Sequence, residues 1–226
     1  MRKVFLRSVL FFFVAYVLLY LLFSFSGAKQ TIANTYKGMA NTFVLPVLPG
    51  AYLLFEQNPG LPDDPNQIQV RLESQAKVDR QMQAAREQGL KTIELKFETY
   101  HIFLFEFFTF PLLFFTAMLV ATPVKWKRKL QAFFIGLALL LVFMFFKTYF
   151  ITLYHLQRNQ IAEYQSSDFW EGMVEKIQLG FNNITTALIT ATLIWALTVF
   201  QKSDWKKQMD QFNTVSTQKK APEKSK

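Results

Sequence analysis

Four stretches of this chain are apolar for so long that water is a poor solvent for them. They run from about Ser8 to Phe25, Ile102 to Ala121, Leu130 to Phe150 and Gly180 to Phe200. A bilayer core of about 30 Å takes roughly 20 residues of helix to cross, and inside it the backbone must satisfy its own hydrogen bonds. Each stretch meets or nearly meets that length. The expected fold class is a membrane all-α protein with four transmembrane helices.

Charge orients those helices. Arg2, Lys3 and Arg7 precede the first stretch, and Lys125, Lys127, Arg128 and Lys129 crowd the short connection between the second and third. The tail beyond Phe200 carries seven lysines against Asp204, Asp210 and Glu223. Residues 27–101, by contrast, balance eight basic against eight acidic side chains. Lys and Arg stay with the cytoplasm, so both termini are expected inside and the two longer connections outside. A basic cytoplasmic face against anionic lipid accounts for the net charge of +9 without a nucleic-acid partner. Trp126 and Trp205 are expected as interface anchors.

The chain is expected to divide into an N-terminal transmembrane anchor (1–26), an extracytoplasmic loop domain (27–101), a three-helix transmembrane region (102–200) and a disordered basic cytoplasmic tail (201–226). An outer helical hairpin over 151–179 belongs to the third part, with its turn near Gln165–Ser167. The basic start, apolar core and Ser26-Gly27-Ala28 also resemble a secretory signal with its cleavage site. A core of about 18 residues exceeds the usual 7–15 of such signals and favours a retained anchor.

Inside the loop domain, Ile68, Val70 and Leu72 alternate with polar residues, as do Ile93, Leu95 and Phe97. Period two predicts half-buried strands. If Gln67–Glu73 and Thr92–Glu98 pair as an antiparallel hairpin, Arg71 faces Glu94 or Glu98. Between them Val78–Gln88 reads as a short polar helix stopped by Gly89. The loop domain is thus expected to be α+β with a two-stranded hairpin. Ile32, Tyr36, Met39 and Phe43 recur at helical spacing just after the first stretch, as an interfacial helix or its continuation.

Candidate chemistry is sparse. The chain has no cysteine, which excludes disulfides, thiolate nucleophiles, zinc–thiolate sites and iron–sulfur clusters. No catalytic set, nucleotide fingerprint or metal spacing is recognisable, and no cofactor is expected. Glu106 is the one carboxylate inside an expected span, and intramembrane acids are suspects for function. Pairing with Lys147, near the outer end of the third span, is the alternative. Pro111 is expected to kink the second span near Glu106. His101 and His155 both fall at the outer face, where hydrogen bonding to headgroups competes with an acid/base role beside Glu98, Glu106 or Glu163. On the fourth span Asn182, Thr186 and Thr190 share one stripe with Ala187 and Ala191 alongside, a pattern of helix–helix packing.

A resemblance bears on function. Phe110-Pro111-Leu112-Leu113, Leu119-Val120-Ala121-Thr122-Pro123, the basic Trp126-Lys127-Arg128-Lys129-Leu130 turn and Gly136 together look like a helix pair of exosortases and of the small membrane proteins associated with them. Exosortases are transpeptidases using Cys, Arg and His. This chain has no Cys, and Phe146-Lys147-Thr148 stands where an Arg is expected. The resemblance therefore implies a non-catalytic companion.

Three readings stay open. The leading one is a non-enzymatic accessory or scaffold subunit of an envelope sorting, export or assembly system in a bacterial-type cytoplasmic membrane, with a membrane-protein partner or complex. The second is a small homo-oligomeric transporter or channel subunit using Glu106, Lys147 and the polar stripe of the fourth span. The third is a membrane enzyme on a lipid-linked substrate, which requires His101, Glu106 and His155 to reach one place.

Overall fold

The computed structural model describes residues 2–199 except 26, 62–63, 90–94 and 162–163, with side chains from residue 9 onward. Its elements are α1 (Arg2–Phe25), α2 (Ala28–Met39), β1 (Ala51–Gln57), β2 (Gln67–Ser74), α3 (Gln75–Glu87), β3 (Glu98–Phe103), α4 (Phe110–Ala121), α5 (Trp126–Arg158), α6 (Asp168–Phe181) and α7 (Ile184–Val199). The chain is mostly helical, with one small antiparallel sheet of order β1-β2-β3.

The sheet has three strands where two were expected. β2 falls where period two placed it, and Ile68, Val70 and Leu72 are fully buried. β1 escaped notice because Tyr52 and Leu54 are as apolar as Ala51, Leu53 and Phe55, so no alternation marks its inner face. The third strand starts later than expected. Residues 92–94, including Glu94, lie outside the described residues, Leu95–Phe97 form no strand, and β3 runs from Glu98 to Phe103. Tyr100 and Ile102 are its inward residues. In this register Arg71 lies opposite Leu54 and Thr99, and its carboxylate partner is the diagonal Glu56 at 2.5 Å, not Glu98. α3 follows β2 directly, and Gly89 past its end takes the left-handed φ of 67° that stops a helix.

The expected spans are shorter or more broken than their hydropathy implies. Among the described residues, α5 alone is long and apolar enough to cross a bilayer, at 33 residues. Val9–Phe25 with Ala28–Val47 and α6 with α7 qualify only if each bent pair is one span, bent by 84° and 73°. Phe105–Ala121 is a shorter apolar helix. That makes one to three spans by length and composition, where four were expected.

Each interruption has a local cause. Ile102 and Phe103, expected to open the second span, are spent on β3. Pro111 has no N–H to donate, and the turn before it, Phe105–Thr109, widens into a π-helix. The α6–α7 break falls at Asn182-Asn183, where the Asn183 side-chain oxygen accepts from the Thr185 N–H at 2.8 Å and caps a new helix.

Two cores hold these elements together. One joins the inner face of the sheet to Tyr36, Val44, Met144, Ile151 and Leu156. The other fills the α4–α5–α7 junction around Phe115, Leu140, Ala191 and Ile194. Beside the second core, the Trp195 indole donates to the Thr122 hydroxyl at 2.9 Å, and Thr122 donates to the Met118 carbonyl at 2.7 Å. The Ala-Thr-Pro exit of α4 is thereby tied to α7. The Phe115 ring lies on Gly136, where a Cβ would come within 2.1 Å of the ring. A Gly136→Ala substitution should therefore lower stability by about 1–3 kcal/mol in a thermal or denaturant unfolding experiment in detergent. Adding Phe115→Leu should recover part of the loss; a second change that only deepens it contradicts this packing.

Candidate functional site

The C-terminal half of α5 carries a row of buried polar side chains that other elements dock against. Met144, Thr148, Thr152 and Leu156 are spaced four apart and form one fully buried row. Thr148 donates its hydroxyl to the Met144 carbonyl at 2.9 Å, and Thr152 to the Thr148 carbonyl at 2.8 Å. With each threonine proton committed to backbone, its oxygen is left to accept. Tyr36 of α2 donates to Thr148 at 3.0 Å, and Tyr100 of β3 donates to Thr152 at 2.7 Å. Burial pushes the Tyr100 phenol above its ordinary pKa, so it keeps the proton it donates. The Tyr100 ring also stacks on His155, with centroids 4.1 Å apart and planes 8° from parallel.

Beside that row Lys147, Ile151 and His155 form a second one, and they face a cavity of about 340 Å³. Its opposite wall is β3 and the π-helical turn, which supply His101 and Glu106. The third side is the α6–α7 break, which supplies Gln178 and Asn182. Lys147 is only 3% exposed, and its ammonium lies 4.1 Å from the centre of the Phe107 ring, a cation–π contact. Glu106 is its electrostatic counter-charge, but no ion pair within 4 Å closes between them. Glu106 and His101 are exposed at the rim, His155 is half-buried on the wall, and Lys147 forms the floor.

All four outer-face polar residues expected from the sequence, His101, Glu106, Lys147 and His155, therefore line one cavity. Glu163 lies outside the described residues, and Glu98 is on β3 but not in the lining. The stripe of the fourth span is rearranged. The α6–α7 break takes Asn182 out of helical register with Thr186 and Thr190 and sets it on the cavity. Ala187 and Ala191 are fully buried, with Thr186 and Thr190 half-buried beside them. Tyr36 was marked by its helical spacing alone, and Tyr100 and Gln178 were not singled out from sequence. Thr148 and Thr152 were the available signal, two hydroxyls four residues apart near a span end that need acceptors or donors from elsewhere.

Among the described residues no group of three His, Asp or Glu side chains gathers as a metal set. Among the described residues the lining holds no Ser, Thr or Cys, and its one hydroxyl is the committed Tyr100 phenol. The cavity presents an ammonium at its floor and a carboxylate with imidazoles at its rim and wall. No protein-family model, curated protein or solved structure matches this chain.

A buried cation without a protein carboxylate in contact is held at a cost in stability. Lys147→Met, which keeps the length and the contact with Phe107, should leave the melting temperature in detergent unchanged or raise it. Lys147→Glu sets a second carboxylate facing Glu106 and should lower it sharply. The reverse order in thermal melts would show that Lys147 is an internal structural partner and not a cavity group.

Proposed function

We propose that this protein is a four-span protein of a bacterial-type cytoplasmic membrane, with both termini inside, and that it serves as a non-enzymatic accessory subunit of an envelope sorting, export or assembly system. The observation that carries this reading is the attachment of the 27–101 region to α5 through the Tyr36–Thr148 and Tyr100–Thr152 hydrogen bonds. Packing against a helix stabilises a small sheet. Anchored on a spanning helix it becomes a fixed outer platform for a partner. Its other face carries the half-buried Arg71–Glu56 pair and the stacked, half-buried Tyr52 and Phe97 rings, 5.3 Å apart.

In this reading the bent pairs and the Phe105–Ala121 helix each complete a crossing. The apolar outer surface of α1, including Leu10, Phe11, Leu18 and Leu22, meets lipid. The helix-pair resemblance to exosortase-associated proteins supports the companion role, as does a cavity lined without Ser, Thr or Cys. The transporter reading draws less support, because the break between α6 and α7 separates Asn182 from Thr186 and Thr190, so the polar stripe is not continuous. Membrane-enzyme chemistry on a lipid-linked substrate is the second reading, favoured by His101, Glu106 and His155 sharing one cavity.

Affinity purification of the full chain after mild detergent extraction should recover a membrane-protein partner at fixed stoichiometry. Charge reversal at Arg71 together with Tyr52→Ala should release that partner without changing expression. A chain that purifies alone under all mild conditions contradicts the accessory role.

A further inference from the structure

The cavity below the sheet holds two opposite charges that do not meet. Lys147 is buried on its floor, Glu106 stands at its rim, and neither closes on the other within 4 Å. An anion alone would satisfy Lys147 and be repelled by Glu106, and a cation alone would do the reverse. A ligand carrying both signs satisfies the two at once, through charge-assisted hydrogen bonds.

We propose that this cavity binds a headgroup with an anionic phosphodiester and a primary ammonium, as carried by phosphatidylethanolamine. The phosphate sits on Lys147, with the Asn182 and Gln178 amides beside it, and the ammonium lies between Glu106 and His101. The order along α5 agrees with this. Lys147 is two turns nearer the membrane than His155, about 12 Å at helical rise, and His101 follows Tyr100, whose ring stacks on His155; in such a lipid the phosphate is nearer the acyl chains than the amine. Phe103 and Ile184, both large, apolar and exposed, flank the cavity where an acyl chain would leave it. The volume of about 340 Å³ lies at the lower end of the range for small-ligand sites.

The inference rests on the membrane reading and not on the accessory role. Recovery of a partner without headgroup binding removes only this inference; headgroup binding by a chain that never recruits a partner removes only the accessory role.

The test is thermal stabilisation of the purified full chain in detergent, titrated with short-chain phosphatidylethanolamine, phosphatidylglycerol and phosphatidylcholine. Free phosphoethanolamine and inorganic phosphate are added as competitors. Phosphatidylethanolamine should bind about tenfold or more tightly than phosphatidylglycerol, which lacks the cation, and than phosphatidylcholine, whose methylated amine cannot donate to Glu106. Glu106→Gln, at an exposed position, should remove the preference over phosphatidylglycerol, and Lys147→Met should abolish binding of all three. Competition by free phosphoethanolamine at equal potency would support the headgroup chemistry with a soluble source, and weak competition supports the lipid. Equal affinity for phosphatidylglycerol and phosphatidylethanolamine in the unsubstituted chain, or unchanged binding by both variants, overturns the proposal.

Discussion

Two threonine–tyrosine hydrogen bonds decide how α2 and the sheet dock on the C-terminal half of α5. A hydroxyl buried inside an apolar helix costs stability unless both its proton and its lone pair are used. Thr148 and Thr152 give their protons to the α5 backbone and offer their oxygens sideways. Among the described residues Tyr36 and Tyr100 reach them, one from α2 and one from β3. Because β3 is paired along β2 and β2 along β1, fixing Tyr100 fixes the whole sheet. The aromatic contacts of Tyr36 with Phe55 and Phe107 then join strand, helix and π-helical turn in one apolar cluster.

The cavity is a consequence of that docking. With Tyr100 of β3 held on Thr152 and stacked on His155, β3 becomes one wall of the space in front of the adjacent Lys147–Ile151–His155 row. The chain leaving β3 turns into the π-helix and carries Glu106 to the opposite wall. The asparagine break between α6 and α7 prevents a straight helix from filling the remaining side. A strand and two departures from regular structure, the π-helical turn and the α6–α7 break, therefore bound one polar space. Their common effect is to keep a lysine inside an apolar helix facing a cavity instead of lipid or a protein carboxylate.

Much of this was legible in the sequence, and the parts that were not have physical reasons. β2 and α3 were readable because each has one buried face and Gly89 ends the helix, though α3 starts at Gln75, three residues before the expected Val78. His101, Glu106, Lys147 and His155 were readable as suspects because polar groups near a span end are few; that they share one cavity was not, since it depends on the β3 register. β1 was hidden by apolar residues on both its faces. The extent of the second span was overestimated because Ile102 and Phe103 serve equally well in a strand or in lipid, and hydropathy cannot separate them. The α6–α7 break was visible as Asn182-Asn183 but read as packing, because a helix cap and a polar helix contact use the same residue type.

The central claim is that the sheet and its cavity face the outside while the Trp126–Lys129 turn faces the cytoplasm. The chain has no cysteine, so single substitutions report without background. Gln83→Cys and Ser166→Cys should react with a membrane-impermeant maleimide in intact cells, and Lys127→Cys only after the membrane is opened. Shielding of Gln83→Cys or Ser166→Cys in intact cells, or ready labelling of Lys127→Cys, would contradict the account.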